Sequence, residues 1–246
     1  MLKVKEKIAY GLGDTASNII FQTVMMFLLI FYTDVVGLSP AAVGTLFLVV
    51  RIFDAITDPL MGSLADKTRT RWGQFRPYLL WLAVPFGLIS VLAFTTPDLS
   101  DSNKLIYAFV TYTLLMMAYT AINIPYCALG GVLTAKPSER VSVRSYRFVF
   151  AMLGGVIVAS CTLPLVDWFG NGDSAKGYQL TMTAMSLLGV VLFLLCFIGT
   201  KERISTPKEQ KDNFWTALKH LWQNDQARLL CITGVFLLTG QVLKFT

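Results

Sequence analysis

The chain has 246 residues, of which 54% are hydrophobic and only 15% charged, where a soluble domain carries about 25% charged residues. Its formal net charge is +6 and its mean hydropathy +0.59. This composition excludes a soluble enzyme or a nucleic-acid-binding domain, because the basic residues sit in short loops between apolar runs rather than on one polar face.

Seven apolar segments are expected to be membrane-spanning helices, at residues 8–33, 41–64, 78–95, 105–133, 148–166, 180–199 and 229–246. The first is too long for a signal peptide and lacks a small-residue cleavage site. Within it, Asp14 and Asn18 are one helical turn apart. Asp14 reads either as a ligand-binding carboxylate or as a packing residue beside Gly11 and Gly13.

The second segment is interrupted by Arg51, Asp54 and Asp58, which share one helix face at spacings of three and four. A charge near mid-membrane costs roughly 2.5–3.5 kcal/mol, and a Leu, Ile, Phe or Val returns only about 0.3–0.6 kcal/mol. The apolar residues of this segment cannot offset three charges, so the triad must face protein, water or an ion. Two carboxylates one turn apart repel each other, and a proton or a small hard cation between them relieves the repulsion. Arg51 reads as a counter-ion. Asp66, Lys67, Arg69, Arg71 and Arg76 then form a short basic connection into the third segment.

On the fourth segment Tyr119, Thr120, Asn123 and Cys127 form one largely polar stripe, with a kink expected at Pro125. Arg147 lies at the start of the fifth segment. Cys127, Cys161, Cys196 and Cys231 all fall in apolar runs without metal-ligand spacing and read as small buried hydrophobes. The sole histidine, His220, is in a polar segment, so no histidine relay operates within the spans. In the polar stretch 201–228, Phe214, Leu218, Leu221 and Trp222 recur at amphipathic spacing, which predicts a short helix against the membrane surface.

Loop charges alternate. The N-terminus (Lys3, Lys5, Lys7) and the second and fourth loops are net basic, whereas the first, third and fifth, with Asp34, Asp98 and Asp173, are net acidic. The positive-inside rule then predicts a cytoplasmic N-terminus. Paired aspartates raise the possibility of an enzyme, but no His, Cys or Ser constellation accompanies them. A transporter is the better reading.

The run from Gly62 to Arg69, G-x-x-x-D-K-x-R, resembles the hinge between the second and third spans of the major facilitator superfamily. The fuller pattern D-A-I-T-D-P from Asp54, followed by T-R-x-R-W-G-x-F-R-P from Thr68, resembles the glycoside–pentoside–hexuronide:cation symporters, the family of the melibiose permease. Further matches are Tyr10-Gly11-Leu12-Gly13-Asp14, Tyr32-Thr33-Asp34, Asn123-Ile124-Pro125-Tyr126 and Glu139-Arg140.

The resemblance implies an all-α membrane protein. Residues 1–200 correspond to an N-terminal six-helix bundle, 201–228 to a cytoplasmic connection and 229–246 to the start of a second bundle, so the chain is expected to be part of a longer one. It implies cation-coupled sugar uptake across a bacterial inner membrane by a monomer, driven by sodium or protons, with no cofactor and no nucleic-acid partner. Its partners are a small saccharide and membrane lipids. A cation-coupled lipid carrier is the alternative, since distant relatives carry lipids.

By resemblance Asp54, Asp58 and Thr120 hold the cation, and Asn18, Tyr119, Asn123 and Arg147 belong to the sugar site, with Asp14 as a replacement carboxylate there in the first of its two readings. Asp66, Lys67, Arg69 and Arg71 serve as the conformational hinge. The positions of Asn18 and Asn123 are carboxylates in the melibiose permease, and Cys127 stands where that permease has a tryptophan. An amide still gives and accepts hydrogen bonds, but without charge assistance, so galactoside specificity is not implied.

Overall fold

A computed structural model of the chain describes residues 2–204, 223–230 and 232–234. Among the described residues every regular element is a helix, and six are long and apolar enough to cross a membrane. They are α1 (Val4–Ile30), α2 (Pro40–Lys67), α3 (Arg76–Ala93), α4 (Asp101–Val132), α5 (Pro137–Gly170) and α6 (Ser174–Gly199). The expected amphipathic helix around Phe214–Trp222, together with His220, Cys231 and most of the seventh apolar segment, lies outside the described residues.

Local chemistry sets the helix ends. Ser39 accepts a hydrogen bond from the Ala42 N–H ahead of Pro40, which opens α2. Asp173 does the same for Lys176 N–H at α6, and that bond holds its carboxyl below the usual carboxylate range. At the far end of α1 the backbone loosens into one π-helical turn, Phe31–Val35, where Phe31 packs among Phe94 and Tyr178.

Helix α5 corrects the sequence reading. It begins at Pro137 rather than near residue 148, because a proline at its first position is pre-set for a helix start and the helix continues beyond the apolar region. Arg147 is therefore almost three turns inside α5, not at its start. Pro125 lies within a continuous α4.

Helix α1 is the centre of the bundle, packing on α5 and α6 along its length and touching α4. Close approach requires small residues: a Cβ on Gly13 would sit 2.6 Å from the Tyr126 ring and 2.9 Å from Cys196 Sγ. Helix α3 packs on α4 and α6, where Ser90 and Ser186 share a buried hydroxyl hydrogen bond of 2.6 Å. Helix α2 rests chiefly on α4. Much of α2 and α5 is left unburied by the bundle, with Leu48, Ile52, Leu60, Phe148 and Val156 exposed.

At the end carrying the basic loops, the segment after α6 crosses the bundle as a strap. The Glu202 carboxylate accepts the backbone N–H groups of Gln74, Phe75 and Arg76 at 2.8, 2.8 and 2.9 Å. These are orphan donors at the start of α3, where a negative charge also meets the positive end of the helix dipole. Arg203 forks onto Glu6 of α1, which keeps the guanidinium pKa above its ordinary value, and Arg203 and Ile204 N–H groups bond to Val132 O at the end of α4. One short segment thus ties α1, α3, α4 and α6.

The chain divides into two compact units, Met1–Ser205 and Thr206–Thr246. In the latter, Asn224 Oδ1 accepts the N–H of Gln226 and Ala227, and Arg228 pairs with Asp225 at 3.0 Å.

Candidate functional site

Two polar clusters lie between helices of the six-helix unit, each partly exposed, and α4 takes part in both. The first is between α2 and α4. Asp54 is buried, with 7% of its surface exposed, and neither carboxylate oxygen has a hydrogen-bond partner. Arg51 Nη1 lies 3.8 Å from Asp54 Oδ2, near enough for Coulombic attraction but too far for a hydrogen bond. The Arg51 guanidinium is itself half exposed and donates weakly to Met25 Sδ at 3.5 Å. One turn on, Asp58 Oδ1 accepts the Thr120 hydroxyl of α4 at 2.8 Å.

A buried carboxylate with both oxygens unpartnered is costly unless something meets it. With Asp58 a turn away and a hydroxyl on the facing helix, the donors are hard oxygens of the kind that suit a small hard cation or a proton.

The second cluster joins α1, α4 and α5. Arg147 Nε donates to Asp14 Oδ1 at 3.2 Å, and its guanidinium lies over the Tyr126 ring, 5.4 Å from the centroid. Asn18 Nδ2 bonds to the Asp14 carbonyl at 2.9 Å. On α4, Asn123 Nδ2 donates to Tyr119 Oη at 3.2 Å, and the Cys127 thiol faces Asn123 Oδ1 at 3.8 Å. Tyr119 is also stacked on Phe21 of α1 at 4.7 Å.

The expected polar stripe of α4 therefore divides. Thr120 turns to α2 and Asp58, whereas Tyr119, Asn123 and Cys127 form a chain of their own on the adjoining face. Of the cysteines read as buried, Cys127 and Cys161 are exposed on the bundle, and only Cys196 is buried among the described three. The reason is helix rotation: an apolar run has an inner and an outer face, and hydropathy averages over both. All three carry free thiols.

The basic connection after α2 is compact. Arg69 Nη1 donates to the carbonyls of Asp66 and Thr68 at 2.8 and 2.9 Å, and Gln74 Nε2 donates to the Asp66 carbonyl at 3.1 Å. Lys67 closes the last turn of α2. Arg71 stacks on Trp72 at 4.3 Å, and Trp72 meets Phe197 of α6 edge-on. Gly73 has a φ of +117°, and a Cβ there would collide with the Glu202 carboxyl at 2.5 Å.

Sequence reasoning missed Glu202, the Glu6–Arg203 pair and the mutual bonding of Tyr10 and Tyr126. The W-G-x-F-R-P string was visible, but the partner that makes its glycine necessary is more than a hundred residues away.

A family model described as MFS/sugar transport protein matches residues 9–246. The chain is 48% identical over 236 residues to "Inner membrane symporter YicJ" of Escherichia coli, covering 96% of this chain and 51% of that protein. It is 51% identical to "Putative glycoside/cation symporter YagG" of Escherichia coli, over 94% of this chain and 50% of the relative. It is 43% identical to "Isoprimeverose transporter" of Lactiplantibacillus pentosus, over 91% and 47%. The chain spans about half the length of these curated relatives.

Proposed function

The chain belongs to the MFS/sugar transport protein family, and from that premise we propose that it takes part in cation-coupled uptake of a glycoside or small oligosaccharide by alternating access. The observation that carries the reading is Asp54, buried with two unpartnered carboxylate oxygens beside the Asp58–Thr120 bond. A sodium ion or proton drawn in by Asp54, Asp58 and the Thr120 hydroxyl supplies the driving force. Tyr119, Asn123, Asn18 and Arg147 offer hydroxyl, amide and guanidinium groups to sugar hydroxyls.

Thr120 and Tyr119 are consecutive on α4, so a cation that draws α2 and α4 together at Thr120 also shifts the polar chain that begins at Tyr119. Coupling of this kind is reciprocal, so sugar in turn tightens cation binding. Asp66, Lys67, Arg69 and Arg71 act as the hinge that lets α2 and α3 move between states. A relative is named a glycoside/cation symporter and another an isoprimeverose transporter, which supports this substrate class.

The direct test is accumulation of isoprimeverose by vesicles containing the full-length protein under an imposed inward sodium or proton gradient. Accumulation should collapse when the gradient is dissipated, and competing xylosides, glucosides and galactosides rank the site. Competition by lysolipids but by none of these sugars would replace the sugar reading with a lipid carrier, and hydrolysis of the sugar by pure protein would replace it with an enzyme.

In the same reading the protein is a multi-pass inner-membrane protein with its basic end, and hence its N-terminus, in the cytoplasm. In a cysteine-free background, single cysteines at Ser102 and Asn171 should react with an impermeant thiol reagent applied outside intact cells, and one at Ser138 should not. The reverse labelling pattern overturns the orientation.

A further inference from the structure

The second cluster contains two groups that the sugar-site residues alone do not account for. Asp14 is a carboxylate almost wholly buried on α1, and Tyr126 is fully buried on α4. Both meet Arg147. The Asp14 carboxylate takes Arg147 Nε at 3.2 Å, and the Tyr126 ring lies beneath the guanidinium.

Tyr126 is itself immobilised. Its hydroxyl donates to the Tyr10 carbonyl at 2.7 Å, the Tyr10 hydroxyl donates back to the Tyr126 carbonyl at 3.3 Å, and the two rings stack at 4.8 Å. Gly13, one turn along α1 from Tyr10, lets the Tyr126 ring come this close. The platform under Arg147 is thus clamped between α1 and α4 at both ends of a reciprocal pair.

We propose that Asp14 and Tyr126 are positioning residues: they hold the Arg147 guanidinium in one plane and one rotamer, with its terminal nitrogens left for sugar hydroxyls. An arginine side chain has large rotamer freedom, and its planar fork favours a ligand most when that freedom is already lost. Asp14 engages Nε, the Cys127 thiol lies within reach of the guanidinium, and about a third of the Arg147 side chain stays exposed at 32%. Asp14 therefore acts through Arg147 rather than as a sugar ligand, which separates it from Asn18 one turn later. The inference rests on the reading of Arg147 as a sugar-binding residue.

The test uses the full-length protein in nanodiscs and isoprimeverose as the probe, with equilibrium binding normalised to folded protein. Loss of a hydrogen bond to a charged group corresponds to a change of about tenfold or more in affinity. Asp14→Asn and Tyr126→Leu should each weaken sugar binding by about tenfold, Arg147→Gln by at least as much, and Asp14→Glu should restore most of the loss. In the Arg147→Gln background, Asp14→Asn should add less than about twofold, because the group it positions is gone.

A structural role would not give that pattern; it would cost the same factor in both backgrounds, and that result overturns the inference while leaving Arg147 as a ligand. Wild-type-like affinity in Asp14→Asn overturns it in the same way. If Arg147→Gln alone leaves affinity unchanged, or wild type does not bind isoprimeverose, the underlying sugar-site reading fails and the inference falls with it.

Discussion

Replacing Asp54 or Asp58 by asparagine is expected to abolish gradient-driven sugar accumulation by the full-length protein. Each change removes one negative charge from the α2–α4 cluster while nearly preserving shape. At Asp58, an amide also takes the place of the carboxyl group whose Oδ1 accepts the Thr120 hydroxyl at 2.8 Å. Cation affinity should drop by an order of magnitude or more, and sugar binding should lose its dependence on the cation, since reciprocal linkage needs both sites.

A packing role makes the opposite forecast. If Asp54 only compensates Arg51, at 3.8 Å, the asparagine variant should lower the amount of folded protein without uncoupling what survives. Because that arginine is half exposed, the loss should be well short of the roughly 3–5 kcal/mol of a broken buried pair. Binding and accumulation in vesicles, with and without sodium and at two pH values, separate the two. Normal cation-stimulated accumulation in both variants removes these aspartates from the coupling site.

The second large effect is structural. Glu202→Ala should destabilise the six-helix unit by about 3 kcal/mol, given that bonds to a charged group contribute about 1.5–3 kcal/mol each and do not simply add. Three N–H groups at the start of α3 lose their acceptor, and the strap loses its hold on that helix while Arg203 still binds Glu6. Gly73→Ala should also destabilise, through both its positive φ and the collision with Glu202.

In the Glu202→Ala background the collision disappears and only the backbone strain remains, so the second substitution should cost less there. Thermal unfolding of purified protein reads both effects, with a midpoint lower by about 6 °C or more for Glu202→Ala. An unchanged midpoint would show that water replaces the carboxylate at no cost and that the strap does not anchor α3.

The six helices could be read along the chain because each records its own solvation. Twenty or so apolar residues between charged loops must span a membrane whatever their neighbours do. The cost of placing Arg51, Asp54 and Asp58 in such a run marks them as facing something other than lipid, again with no need of a partner. By contrast, the true start of α5 at Pro137 was hidden, because hydropathy measures membrane depth and a helix can continue in water. Thr120 entered the cation set only through resemblance, and its bond to Asp58 depends on how α4 is turned against α2.

Asp14 shows the division most clearly. Its spacing from Asn18 and its glycine neighbours left two readings open, and nothing within α1 distinguishes them. Only the packing of α5 on α1 brings Arg147 to its carboxylate, while α4 brings Tyr126 beneath the same guanidinium. Glu202 is a still longer reach, meeting donors at Gln74 to Arg76 after four more spans. By itself the sequence determined the class of molecule, the number of spans in the six-helix unit and the residues too polar for lipid, since those follow from the transfer energy of single residues and their helical period. Which polar groups meet was decided by the tertiary structure, because a hydrogen bond or ion pair forms only at a distance of a few ångströms, and helix rotation and close approach set that distance.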